Sequence, residues 1–160
     1  MSVFKSQFSR ALSVIKSDNA NIPYPAVAVS GTNTSTAASQ LIDSGATFVT
    51  KKIAAGDIVY NTTDGSAATV VSVTNQTTIV LNASIFAATA KDYVIYQASS
   101  QTTIGNYGCF LYVGGGGTVV VTTIGGDVVT FSGVPAGTVL PVQVIKLASA
   151  TSATLINALW

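Results

Sequence analysis

Asp57-Ile58-Val59-Tyr60-Asn61-Thr62-Thr63-Asp64-Gly65-Ser66-Ala67-Ala68-Thr69-Val70-Val71-Ser72-Val73 decides the class of fold. Two runs rich in Val, Ile, Tyr and Thr flank an Asp-Gly dipeptide, the residue pair that tight hairpins favour. β-branched and aromatic residues fit a pleated, half-buried surface. Working outward, Thr74-Asn75-Gln76 reads as another turn, followed by strand Thr77 to Leu81. Asp92-Tyr93-Val94-Ile95-Tyr96 closes the module. Upstream, Thr47-Phe48-Val49-Thr50 reads as a short strand and Ala55-Gly56 as a turn, while the Ser-, Thr- and Asn-rich residues 30–40 read as a loop. Short strands at regular spacing with turn residues between them predict a small sandwich or barrel.

A second β stretch follows the Gln-, Ala-, Ser- and Thr-rich residues 97–107. Phe110 to Val113 meets Gly114-Gly115-Gly116-Gly117, which predicts a hairpin returning through Thr118 to Thr122. Gly125-Gly126 turns the chain into Asp127 to Phe131, and Val134-Pro135-Ala136-Gly137 turns it again. Pro141 near the start of the apolar run Thr138 to Leu147 predicts an edge strand or a strand beginning. Ala153 to Trp160 ends the chain on an apolar strand, and a terminal Trp of that kind is rarely left in water.

At the other end, Phe4, Phe8 and Leu12 recur every fourth residue. That spacing suits one stripe of a short helix, and equally an extended arm with apolar anchors. Either form reaches onto a neighbour. Ser13 to Lys16 reads as a short strand, followed by a turn at Ser17 to Asn21 and a bent or extended Ile22-Pro23-Tyr24-Pro25. No secretory or transit pattern is read in the first 18 residues.

Charged residues make up 8% of the 160-residue chain, against about 25% in an average domain. Net charge is +1 and mean hydropathy +0.53. Polar Thr, Ser, Asn and Gly interrupt every apolar run, so no helical membrane span is predicted. A surface with so little charge is expected to be covered by copies of the chain or by partners. Clustered Lys or Arg for phosphate contacts are missing, and Lys51-Lys52 is the one basic pair, so nucleic acid is not expected as a partner.

Catalytic chemistry lacks its parts. There is no His, and all six acidic residues are aspartates: Asp18, Asp43, Asp57, Asp64, Asp92 and Asp127. A Ser-His-Asp or Cys-His arrangement is therefore impossible. Asp57, Asp64 and Asp127 occupy turn positions, where an Asp side chain bonds nearby backbone amides. One Cys and no His disfavour zinc, and Asn61 to Gly65 lacks the alternating acidic spacing of a calcium loop. Gly114 to Gly117 lacks the Lys-Ser/Thr of a phosphate loop. Cys109, within Cys109-Phe110-Leu111-Tyr112-Val113, reads as a small buried hydrophobe. No enzymatic activity, cofactor or metal is expected.

Tyr112-Val113-Gly114-Gly115, Gly126 to Phe131, Gly133-Val134-Pro135-Ala136-Gly137-Thr138-Val139-Leu140-Pro141-Val142, Thr151-Ser152-Ala153-Thr154 and Ala158-Leu159-Trp160 form an ordered series. Together they resemble the head-spike base proteins of tailed bacteriophages and gene transfer agents, over residues 107–160. Val14 to Asp18 followed by Ile22-Pro23 is similar to that family's N-terminal segment. Gly56 to Asp64 resembles β modules of marine and cyanobacterial phage structural proteins. The resemblance implies a non-enzymatic virion protein on the capsid exterior, a head decoration (cement) protein or spike base, whose partners are copies of itself and the major capsid protein or other virion proteins. The alternative is a tail, fibre or baseplate component with a glycan-binding role in host attachment.

The resulting expectation is an all-β chain of two small antiparallel sandwich or barrel modules. Residues 1–12 form an arm or short helix. Residues 13–26 with 105–160 form one module, and 27–104 are inserted into it. Phe4, Phe8, Leu12, Leu159 and Trp160 are the candidate assembly contacts. Removal of residues 1–12 is expected to release the protein from the particle and leave both modules folded.

Overall fold

A computed structural model describes residues 8–98 and 108–160. Their strands form two six-stranded antiparallel sheets. The first sheet holds β1 (Ala11–Ser13), β8 (Cys109–Gly115), β9 (Gly117–Thr123), β10 (Val128–Val134), β11 (Thr138–Leu147) and β12 (Thr154–Leu159). Their spatial order is β1-β12-β8-β11-β9-β10. The second holds β2 (Val27–Thr32), β3 (Gln40–Ile42), β4 (Ile58–Asn61), β5 (Ser66–Asn75), β6 (Thr78–Leu81) and β7 (Asp92–Tyr96), in the order β2-β7-β4-β5-β6-β3. All six strands of the second sheet lie in sequence between β1 and β8.

Local chemistry explains the β4–β5 hairpin. Asn61 is buried at its entry, and its Oδ1 accepts from the amides of Thr63 (3.1 Å) and Asp64 (3.0 Å). Its Nδ2 donates to Asp64 Oδ2 and to the Ile85 carbonyl. Gly65 then takes φ +67°, a conformation that costs a residue with a side chain. The Asp-Gly signal is thus realised as a four-residue turn in which Asn61 holds both ends.

Each sheet buries a core of its own. Leu111, Val113, Val119, Val121, Val144 and Leu147 centre the first. Leu41, Val59, Ile79 and Ile95 centre the second, where Phe48, Ile53 and Phe86 enter from the connections rather than from strands. A third cluster joins the sheets: Ala20, Ile58, Tyr60, Ala67 and Tyr96, with Leu12 and Ile15 packed against it. The segment after β1 acts as mortar. Val14, Ser17 and Ile22 donate backbone bonds to Ile156, Leu147 and Ile145 of the first sheet. Ser17 Oγ donates to the Ala67 carbonyl (2.8 Å), and Thr69 and Asn82 both donate to the Asn19 carbonyl, tying the same segment to the second sheet.

Five expectations need correction. Gly114 to Gly117 is not a hairpin: β8 and β9 are separated by β11. The glycines serve close crossing of backbones. A Cβ on Gly114 would lie 2.8 Å from the Leu155 carbonyl oxygen, and one on Gly116 2.9 Å from that of Val134. Pro141 lies neither on an edge nor at a strand start, because β11 is interior. It falls in the break of register between Leu140 and Val144, where no ladder bond needs its missing N–H. Thr47 to Thr50 is a turn, because Phe48 must be drawn into the core while both of its successors face solvent. Of residues 30–40, only 33–39 form the expected loop; residues 30–32 end β2 and Gln40 starts β3, since a Ser- and Thr-rich edge strand has a loop's composition. Finally, β1 covers Ala11–Ser13 rather than residues 13–16, and residues 8–12 are not helical. Phe4 lies outside the described residues.

Candidate assembly surface

The carboxylates are committed to the fold. Asp57 is buried and accepts from the amides of Ala54 (2.9 Å) and Ala98 (2.8 Å), pinning the exit of the second sheet to its β4 entry. Asp43, also buried, accepts from the Tyr93 hydroxyl at 2.7 Å and from the Gly45 amide at 2.9 Å. Burial, reinforced by this carboxylate, pushes the Tyr93 hydroxyl well above its ordinary value. Asp64 pairs with Lys91 at 2.8 Å, and that bond holds its carboxyl below the usual range. Asp18 accepts from both the hydroxyl and the amide of Ser149, which lowers its carboxyl likewise. Among the described residues, no three Asp or Cys side chains converge.

Cys109 is buried in β8, its Sγ donating to the Val144 carbonyl at 3.5 Å. Burial pushes the thiol from an ordinary 9.0 up to about 12. At pH 8 that leaves about a thousandfold less thiolate than a free cysteine has. Alkylation by iodoacetamide at that pH is therefore expected to be at least about a thousandfold slower for the native than for the denatured chain, read by mass spectrometry. The same shift sets a stability trend. Below pH 9 both states keep the proton and nothing changes. Above it the unfolded chain ionises while the folded chain does not. Stability then falls as pH rises from 9 toward 12, by up to about 1.4 kcal/mol per pH unit. Burial raises the Tyr60 hydroxyl too, adding to the loss above about pH 10.

The candidate assembly contacts separate into two faces. Leu12 stands opposite Ala158 on the inner face of the first sheet and packs on the cluster between the sheets. Phe8 instead meets Phe110 on the outer face, ring centroids 5.6 Å apart. Leu159 is cross-strand neighbour to both Ala11 and Phe110, so it belongs to that outer face. Trp160 packs edge-on against Tyr24 at 5.5 Å and against the first core. Its carbonyl accepts from Ser9 and Arg10, and its amide donates to the Arg10 carbonyl. Leu12 and Trp160 are thus spent on this chain's own fold.

Sequence reading missed the middle of the outer face. Tyr112 on β8 stands directly opposite Val139 on β11 and Asn157 on β12. Directly opposed side chains share a face. With Phe8, Phe110 and Leu159 they make a surface that crosses three strands, β12, β8 and β11, without a charged residue among those named. Tyr112 and Val139 remain 37% and 41% exposed, and Leu155, beside them on β12, 76%. The signal was present in Cys109-Phe110-Leu111-Tyr112-Val113, where alternate residues turn outward with aromatic rings.

Comparison of the chain with protein-family models, curated proteins and solved structures finds no match in any of the three.

Proposed function

We propose that this chain is a non-enzymatic structural protein of a bacteriophage virion, attached to the exterior of the head as a decoration protein or spike base. The observation that carries the assembly part is the apolar patch on the outer face of the first sheet, centred on Tyr112 and Val139. Apolar surface of this kind on a chain with 8% charged residues is stabilised when a partner covers it. The placement on a phage head rests on the resemblance over residues 107–160. The mechanism is shape-matched apolar burial, with the major capsid protein as the covering partner.

The alternative, a tail or baseplate component that binds glycan, has one feature in its favour. A cleft of about 440 Å³ lies between the sheets, lined by Asp18, Asn21, Thr69, Asn82 and Lys146. Most of these groups already bond to the chain itself, and among the described residues no aromatic ring lines the cleft to stack on a sugar.

Separated heads and tails from purified particles, probed by mass spectrometry, test the reading. The chain is expected with the heads, and a Val139→Lys variant is expected to fold normally and be lost from them by at least about tenfold. Recovery of the wild-type chain with tails alone, or of Val139→Lys heads at full occupancy, overturns it.

A further inference from the structure

The first sheet ends in β10, a seven-residue edge strand without a charge: Val128-Val129-Thr130-Phe131-Ser132-Gly133-Val134. Natural sheets blunt such edges with Lys, Pro or very short strands, because open backbone groups template another strand. None of those devices operates over Val128 to Ser132. The bulge, with Gly133 at φ +65°, comes only after Phe131.

The register on the paired side fixes what the open side offers. Thr123 N donates to the Asp127 carbonyl at 2.8 Å, so Asp127, Val129 and Phe131 direct their backbone groups toward β9. By the antiparallel alternation, Val128, Thr130 and Ser132 direct theirs away from the sheet. Side chains alternate as well. Val129 and Phe131 stand opposite buried Val121 and Val119 and pack on the first core, yet stay only half-buried because the sheet stops there. Val128, 73% exposed, lies with Thr130 on the outer face.

We propose that this edge pairs with the same edge of a second copy, antiparallel about a two-fold axis at Thr130. It rests on the assembly reading above and names the copy-to-copy contact within it. The occupant follows from self-complementarity. Centring on Thr130 sets Thr130 against its own copy, Val129 against Phe131, and Val128 against Ser132. Thr–Thr and aromatic–β-branched pairs are among the favourable cross-strand combinations. Asp127 falls opposite Gly133, so no like charges meet. The outward N–H and C=O groups of Val128, Thr130 and Ser132 all find partners, and the half-covered Val129 and Phe131 of both copies complete one continuous core. An antiparallel edge pair is isologous and closes at two copies. The six-residue edge strand β2 offers less: its register with β7 breaks between Val27 and Val29, and Gly31 presents no side chain.

Sedimentation velocity of the purified full chain over a concentration series tests this. The wild type is expected at twice the 16.2 kDa of one chain. Thr130→Lys, which opposes two ammonium groups at the axis, is expected at 16.2 kDa with cooperative thermal unfolding retained, its midpoint lowered only by loss of the dimer, and a dissociation constant raised at least about a hundredfold. Val139→Lys, away from the edge, is expected to stay dimeric. Amide exchange on the wild type covers the case in which Thr130→Lys fails to fold: Val128, Thr130 and Ser132 are expected to be protected in concentrated but not in dilute samples. A wild-type monomer at every concentration, a Thr130→Lys dimer, or exchange at those three amides independent of concentration overturns the edge pairing. A Thr130→Lys dimer still found on heads overturns it while leaving the assembly reading intact.

Discussion

A chain ending at Ala153 is expected to lose the first sheet entirely. β12 sits between β1 and β8, paired with Ala11–Ser13 on one side and with Phe110 to Gly115 on the other. It brings Ile156 and Ala158 into the core, and Trp160 after it closes on Tyr24. Loss of one buried aliphatic side chain costs about 2–5 kcal/mol, and each of the ladder bonds adds about 1 kcal/mol. Those losses together match the whole stability of an ordinary domain, about 5–15 kcal/mol. β1 is also left without a partner strand, so the segment that joins the sheets loses its anchor. Amide exchange reads the outcome: Leu111 and Val121 are expected to be strongly protected in the full chain and unprotected in the shortened one. Retained protection there shows that β8, β11 and β9 hold without β12.

That result also revises the expectation for the other terminus. Removal of residues 1–12 takes away most of β1 and with it Leu12, which packs between the sheets. A loss of particle attachment in such a variant therefore mixes unfolding with loss of contact. Phe8 and Leu12 share a four-residue spacing but not a face, because residues 8–10 precede β1 and bend at Ser9, so strand alternation does not carry through from Phe8 to Leu12.

The class of fold was legible because it depends on local signals. The Asp-Gly turn, the β-branched runs around it and the alternation in Cys109 to Val113 each act within a few residues. Strand order was not legible, because it depends on contacts far apart in sequence. Four consecutive glycines look like a hairpin from either side. Whether β9 folds back on β8 or leaves room for β11 is decided by β11, more than 15 residues later. Pro141 shows the same limit: its lack of an N–H is local, whereas the register break that accommodates it lies in the pairing of β11 with β8, between Leu140 opposite Leu111 and Val144 opposite Cys109. The candidate surface was half legible. Phe8 and Leu159 carry an apolar signal that places them on the outer face, but the Tyr112–Val139 pairing that centres this face requires the register.

The two proposed contacts use different parts of one sheet. Tyr112 and Val139 occupy the outer face of β8 and β11, while Val128 to Ser132 form the edge beyond β9. A copy joined through β10 leaves the outer face open, so pairing and attachment to a head are compatible. The second sheet bears neither contact; its connection to the first is the buried cluster around Tyr60 and the bonds to Ser17 and Asn19.

Phe48→Ala is expected to cost about 3–5 kcal/mol, whereas Val49→Ala is expected to cost less than about 0.5 kcal/mol. Phe48 is fully buried although it lies in a turn, held there by its amide bond to the Gln76 carbonyl (2.8 Å) and by Ile53 N, which donates back to its own carbonyl (3.0 Å). Its ring stands 6.2 Å from that of Tyr93, which in turn meets Phe86 at 6.4 Å and Asp43 through its hydroxyl. Removing the ring leaves a void that this bonded frame cannot collapse into, and the lost contacts are not replaced. Val49 is 53% exposed and gives up little on truncation. In a chain of this size the first change lowers the melting temperature by roughly 10 °C and the second by less than about 2 °C. Equal losses from Phe48→Ala and Val49→Ala in thermal melts would contradict this placement of the two side chains.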